Sequence, residues 1–406
     1  MPAVPRVTEV LVVLIAIVGS VACSPGGGGR TPPAAPVGTS LPGAGGGAAL
    51  PSGAQSDLAS LLEPIRLRSG LPALAAAILE GGRVAAMGAV GVRKSGDATP
   101  VTPGDAWHLG SDTKAMTATL FAFYVDAGKI AFTTTLAQAF PAWASKMDPA
   151  YRGVTMQALL AHRGGLPHDV PMDLLARLPQ TSADSRAARL VAIQAALARP
   201  PEIPPDTKFS YSNAGYMIVG AALEELTDTP WESLMRARIF GPLGMTSCGF
   251  GPPAAPGKVD QPWPHLVVAG ELEPVPTGPS ADNPPALGPA GTVHCSLADW
   301  GKFVAMHLAG ARGESRLLSS ESFEKLYTPY PGEEYAGGWI VTRRPWAHGI
   351  VLTHGGSNGM WFANVWLAPA LDRAFLVATN RGDAAAAQAT DEVVGKLVTM
   401  SSPWKA

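Results

Sequence analysis

Charge is scarce in this chain of 406 residues: only 15% are Asp, Glu, Lys or Arg and the formal net charge is −2. No basic field exists to hold a nucleic acid. Cysteine is scarcer still, with three in all and no Cys-x-x-Cys pair, which argues against a zinc site. His162 and His168-Asp169 flank Gly-Gly-Leu-Pro, and a turn explains them better than a metal does. Val10 to Val18 is apolar throughout but too short to span a bilayer as a helix. No repeat at a fixed period is visible, which excludes solenoid and propeller arrays. What is present is 47% hydrophobic content, enough for a large core and for one to three domains.

Residues 1–23 read as a targeting segment. Arg6 gives a thin positive start, the apolar run follows, and Ser20-Val-Ala-Cys23 places small residues before a cysteine. The pattern resembles a bacterial lipoprotein signal, with lipidation at Cys23; ordinary cleavage after Ala22 is the alternative. Either route exports the chain, to a membrane-anchored or a periplasmic or secreted location. Residues 24–55 are rich in Gly, Pro and Ala with almost no charge, and are expected to form a flexible tether. The two other cysteines, Cys248 and Cys295, could pair in an oxidising compartment, but the sequence alone leaves this open.

The chain is organised around Trp107 to Tyr124. Gly110 breaks the preceding segment, and small and apolar residues then run without Gly or Pro until Gly128, a helix stop. Ser111 and Lys114 therefore fall in the first turn of a helix, on one face. A serine hydroxyl is a poor nucleophile until a neighbouring base takes its proton. Lysine can serve only when neutral, which requires lowering its value from about 10.4 to about 7, roughly 4 kcal/mol of desolvation or like-charge pressure. Asp112 lies about 100° round the helix from Ser111 and need not pair with Lys114. Spacing alone is weak evidence, because Ser322–Lys325 and Ser402–Lys405 fit the same pattern.

Around this stretch, 57–69 has a helical pattern, and 72–80 and 83–92 read as strands joined by Gly81-Gly82. Residues 130–330 are mostly helical and loop-rich, with 250–289 too proline-rich for regular structure. Short β-rich runs follow at 338–343, 350–353, 361–367 and 375–379, and 383–400 is a closing helix. Strands at both ends with helices between predict an α/β fold: an antiparallel sheet flanked by helices, with an inserted, mostly helical domain. The catalytic domain would run over 56–400, its sheet part at about 56–114 and 335–400 and its helical part at about 115–334.

Two further constellations stand out. Tyr211-Ser212-Asn213 lies at a loop-to-helix junction, where a tyrosine could shuttle a proton and an asparagine could meet a carbonyl. His354-Gly355-Gly356-Ser357-Asn358-Gly359 joins two predicted strands, and its glycines let backbone N–H groups approach a ligand. Gly355-x-Ser357-x-Gly359 also fits the nucleophile elbow of α/β-hydrolases. That motif needs a following helix and a downstream histidine; a strand pattern follows instead, and no histidine occurs after His354.

Ser-x-x-Lys, Tyr-Ser-Asn and His-Gly-Gly, in this order, resemble the motifs of the serine β-lactamase-related hydrolases: class C β-lactamases, D-alanyl-D-alanine carboxypeptidases and esterases of one fold. Leu159 to Pro167, Phe240 to Met245 and Gly337-Gly-Trp339 add to the likeness. The resemblance implies Ser111 as acylated nucleophile, Lys114 as its base and Tyr211 as second acid/base. It further implies Asn213, His354, Gly355 and Gly356 as substrate contacts, and the backbone N–H groups of Ser111 and Ser357 as the oxyanion hole. No metal or cofactor is implied. Class C enzymes carry Lys-Thr-Gly where this chain has His354-Gly355-Gly356, so carboxylate-bearing substrates lose two expected contacts. The expectation is an exported serine hydrolase acting on a small ester, amide or D-amino-acid peptide, with a membrane partner through its lipid anchor and no nucleic acid. D-alanyl-D-alanine carboxypeptidase or β-lactamase activity is the alternative, and a catalytically quiet cell-wall-binding or sensor protein of the same fold is the alternative of another class.

Overall fold

Alternation along the first strand sets the layers. β1 (Ala73–Glu80) turns through Gly81-Gly82 into β2 (Arg83–Gly91), the predicted hairpin. On one face Leu74, Ala76 and Ile78 meet Leu58, Leu62 and Ile65 of the helix Ser52–Arg68 and Val393 and Leu397 of the helix Ala384–Met400. On the other face Ala73, Ala75, Ala77 and Leu79 join the main core. A strand buried on both faces needs cover on both, and the small alanines let the helices sit close.

The computed structural model describes residues 52–400 apart from 171–173, 175–176, 178–184, 279–280 and 316. The expected signal segment with Cys23, and the tether as far as residue 51, lie outside the described residues. One boundary needs correction: the backbone is already helical from Ser52, inside the stretch expected to be tether. Between Gly53 and Pro64 no glycine or proline interrupts the chain, so the helix extends back toward Pro51.

The remaining strands are β3 (Ala106–His108), β4 (Gly249–Phe250), β5 (His265–Val268), β6 (Glu271–Pro274), β7 (Val293–Ser296), β8 (Tyr335–Ala336), β9 (Trp339–Arg344), β10 (Gly349–Ser357), β11 (Phe362–Ala368) and β12 (Arg373–Thr379). A seven-stranded antiparallel sheet runs β2-β1-β12-β11-β10-β9-β8, joining both ends of the chain. β10 reaches further than predicted. Gly355 and Gly356 pair with Asn364 and Ala363 of β11, so His-Gly-Gly is strand rather than turn. The proline-rich 250–289 region, expected to be irregular, contains the β5–β6 hairpin. β3, β7 and β4 form a second small sheet, in which Cys295 of β7 is joined by a disulfide to Cys248, directly before β4.

The helix Thr113–Asp126 lies between the large sheet and the helical part, with residues buried on every side from Thr113 to Ala122. A helix apolar all round belongs in a core. It ends at Asp126, and Gly128 follows in the left-handed region, the predicted stop. Behind it, the fully buried Arg189 is held by Glu224 and Glu232 and donates to the carbonyls of Pro285 and Ala286. A buried cation so completely paired costs less to keep than to break, and it fixes the segment leading to Ala290.

Candidate active site

Ser111 sits in a 3-10 turn, Gly110–Asp112, immediately before the helix that carries Lys114. The tight turn is a matter of contact. A Cβ on Gly110 would stand 2.4 Å from Ser357 N, and one on Gly356 would stand 1.9 Å from Leu109 O and 2.8 Å from Ser111 N. Only glycine at both positions lets the serine segment and β10 touch backbone to backbone. The N–H groups of Ser111 and Ser357 are thereby carried on adjoining segments.

Lys114 is completely buried, and its Nζ lies 3.0 Å from Ser111 Oγ, 2.6 Å from Asn213 Oδ1 and 2.7 Å from Ala290 O. Burial lowers its pKa to about 7, with the Asp169 and Asp112 carboxyls opposing the shift. A neutral lysine has two N–H bonds and one lone pair. Ala290 O can only accept. Asn213 must also present its oxygen, because its Nδ2 donates to the Asp169 carboxylate at 2.8 Å. Both N–H bonds are therefore assigned, and the lone pair is left for the one neighbour that can donate, the Ser111 hydroxyl.

Tyr211 donates to Ser111 Oγ at 2.8 Å from the other side. Its ring packs on His162 at 4.3 Å and lies 4.8 Å from Lys114 Nζ. Burial raises the phenol above its ordinary value, so it remains protonated at neutral pH. The segment is braced by Leu159 to Pro167: Ser212 N donates to His162 Nδ1, Ser212 Oγ donates to Pro167 O, and Ser212 also caps the helix Asn213–Thr227 by accepting from Gly215 N. Burial also lowers the pKa of His162 well below its ordinary value.

Two expected contacts are placed differently. Asn213 was expected to meet a substrate carbonyl, yet its oxygen faces Lys114 and one N–H faces Asp169, which leaves at most one N–H for a ligand. His354 was expected to contact the substrate. Its ring is instead enclosed in the wall, with Nε2 3.0 Å from Tyr335 OH and Nδ1 3.2 Å from Asp112 Oδ1. Burial, aided by Lys114, lowers its pKa to about 3, so it is neutral across the physiological range. Asp112, 2% exposed, is raised well above the usual carboxylate range by the same desolvation. Gly355 is exposed along the strand edge, and Gly356 is buried against the serine turn.

Asp169 is the residue that sequence reasoning missed. Its Oδ2 lies 2.6 Å from His168 Nδ1, and hydrogen bonds from His168 and Asn213 hold its carboxyl below the usual range against desolvation. The only signal was its place directly after Gly-Gly-Leu-Pro-His. Among the described residues no three or more His, Cys, Asp or Glu converge to hold a metal ion, and no helix is long and apolar enough to cross a membrane.

Comparison with known proteins agrees with the geometry. A family model described as Beta-lactamase matches residues 58–399. Penicillin-binding protein 4 of Amycolatopsis lactamdurans is 30% identical over 356 residues, 84% of this chain and 90% of that protein. Among solved structures, the octameric penicillin-binding protein homologue from Pyrococcus abyssi superposes with a TM-score of 0.67 at 22% identity, over 85% of this chain and 77% of the other. The D-amino acid amidase from Ochrobactrum anthropi superposes with a TM-score of 0.65 at 18% identity, over 85% of this chain and all of the other. With the fold, the motif order and a match over most of its length in agreement, the chain belongs to the beta-lactamase family of serine hydrolases and acyl transferases.

Proposed function

We propose that this protein hydrolyses an ester or amide bond through an acyl-enzyme on Ser111. The orientation of the Lys114 lone pair carries the reading. Lys114 takes the Ser111 proton as Oγ attacks the carbonyl carbon, and the carbonyl oxygen becomes an oxyanion facing the N–H groups of Ser111 and Ser357. Each such donor is typically worth about 3 kcal/mol in the transition state. The proton passes through Tyr211 to the leaving group, which departs as an alcohol or amine. Water then attacks the acyl carbon by the reverse path and restores both groups. Tyr211, protonated at rest, is a conduit rather than a standing base.

The site's charges favour neutral or amine-bearing substrates over carboxylates. His354 is neutral, Lys114 is near half-protonation at pH 7, and the carboxylate of Asp169, 18% exposed, is the nearest fixed charge. D-amino-acid amides and peptides with a free amine are the class to test first, alongside short-chain esters. Likeness to penicillin-binding protein 4 keeps D-alanyl peptides as the second reading. A panel of short-chain esters, D-amino-acid amides, D-alanyl-D-alanine peptides and a chromogenic cephalosporin, assayed with wild type and Ser111→Ala, decides between them. Preferential turnover of the D-alanyl-D-alanine carboxy-terminal peptide contradicts the charge argument.

We also propose export with a lipid at Cys23, supported by the apolar run before Ala22-Cys23 and by the Cys248–Cys295 disulfide, which suits an oxidising compartment. Detergent-phase partitioning is expected to vanish in Cys23→Ser, and a mature protein beginning at Cys23 without acyl mass contradicts it.

A further inference from the structure

The close glycine contact between the serine turn and β10 stops the two segments from moving together, but it cannot stop them from moving apart. Ties are needed for that: within the motifs His354 Nδ1 lies 3.2 Å from Asp112 Oδ1, and a second tie is supplied by a residue outside them. The Asp282 side chain is 4% exposed, and its Oδ1 accepts from Asn358 Nδ2 at 2.9 Å and lies 2.9 Å from His108 Nε2. Each partner sits close to one of the two oxyanion donors: His108 lies three residues before Ser111, and Asn358 directly follows Ser357.

Both partners are fixed in orientation. His108 Nδ1 accepts from Gly110 N at 3.1 Å, so the neutral ring carries its proton on Nε2, the atom in 2.9 Å contact with Asp282 Oδ1. Asn358 Oδ1 accepts from Met360 N and Trp361 N, which turns its Nδ2 toward Asp282. The His108 ring stacks on Trp361 at 6.4 Å, and Asn283 donates to Gly291 O beside the Lys114 floor at Ala290. One carboxylate therefore bridges the two segments, by a hydrogen bond from Asn358 on one side and a 2.9 Å contact with His108 on the other.

We propose that Asp282 is a positioning residue that holds the Ser111 and Ser357 N–H groups at the spacing an oxyanion needs. The proposal rests on the reading of Ser111 as nucleophile. Loss of a whole oxyanion donor costs about 10²- to 10³-fold in kcat, and loosening a pair should cost less. The interaction develops in the transition state, so the loss falls on kcat and not on ground-state binding.

The test compares wild type, Asp282→Ala, Asp282→Asn and Asn358→Ala for ester turnover and for inhibition by an alkylboronic acid, whose tetrahedral Ser111 adduct mimics the oxyanion. Asp282→Ala is expected to lower kcat by roughly 10- to 100-fold with KM within about threefold, and to weaken the boronic acid by a similar factor. Asn358→Ala, which cuts the tie at its other end, is expected to show the same split. Asp282→Asn keeps the accepting oxygen and is expected to recover the loss to within about fivefold. If Asp282→Ala does not fold, Asn358→Ala and Asp282→Asn carry the comparison. The proposal is overturned if the folded variants keep wild-type kcat and boronic-acid affinity, if the loss falls on KM alone, or if Asp282→Asn is as damaged as the alanine variant. Failure of wild type to form any Ser111 adduct defeats the nucleophile reading instead, a result distinct from these.

Discussion

Ser111 and Lys114 stand three apart at one helix start, and Ser322 and Lys325 stand three apart at another. Around the first pair, the lysine is fully buried at about pKa 7 and the serine accepts from Tyr211. Around the second, Ser322 Oγ donates to Asp126 at 2.7 Å, its N–H is capped by Ser319, and Lys325 is exposed. An exposed ammonium keeps its proton, and a hydroxyl already given to a carboxylate has a structural task. The comparison teaches that the motif's spacing is only a precondition. On the proposed reading, reactivity comes from burying the lysine among groups that use up its N–H bonds.

The largest expected effect separates the two serines. Ser111→Ala should abolish fluorophosphonate labelling and lower turnover by about 10⁴-fold or more, whereas Ser322→Ala should stay within about twofold. Peptide mapping of the labelled protein checks both, and a label on Ser322 or Ser357 contradicts the assignment.

The lysines should separate next. Lys114→Met should cost about 10³-fold in labelling rate, and Lys325→Met should cost nothing measurable. Stability provides an independent check. Lys114 is neutral in the fold above about pH 7 but protonated when unfolded up to its ordinary value of 10.5, so wild-type stability rises with pH across that window. Relative to Lys114→Met, wild type should gain on the order of 3 kcal/mol between pH 6.5 and 9.5. Urea melts at the two pH values measure this, and equal gaps contradict a lowered lysine.

A smaller effect tests the missed carboxylate. Asp169→Asn should lower kcat about tenfold, because Asn213 is no longer forced to present its oxygen to Lys114. Removing the anion should also move the inflection of the pH–rate profile below about 7, since Asp169 opposes the lowering of Lys114. An inflection that moves up contradicts this electrostatic role.

The smallest effect is a flat line. With His354 lowered to about 3, the ratio of kcat/KM for carboxylated over neutral substrates should not rise as pH falls from 7 to 5 for any reason residing in that ring. A rise that His354→Gln removes contradicts the buried placement.

Much of this was readable in the sequence where local chemistry decides it. The Gly81-Gly82 hairpin, the Gly128 stop and the pairing of Ser111 with Lys114 follow from residue type and spacing, and the α/β architecture follows from strands at both chain ends. The value of about 7 that Lys114 needs follows from acid–base chemistry alone. His354 was misjudged because a motif position locates the backbone and says nothing of which way a ring is enclosed. Asp169 and Asp282 were invisible because their partners, Asn213 and Asn358, are 44 and 76 residues away. The β5–β6 hairpin was missed because flanking prolines masked a short pairing.

The central claim is that Ser111 is activated by a buried lysine that is neutral near physiological pH. The rate of Ser111 acylation by a fluorophosphonate, measured across pH 5 to 10 in excess probe, tests it most directly. The neutral fraction of Lys114 should govern the rate, which should rise about tenfold per pH unit below about 6, bend near 7 and level above about 8. A rate independent of pH over 5 to 8, or one that keeps rising to an inflection near 10, would contradict the account.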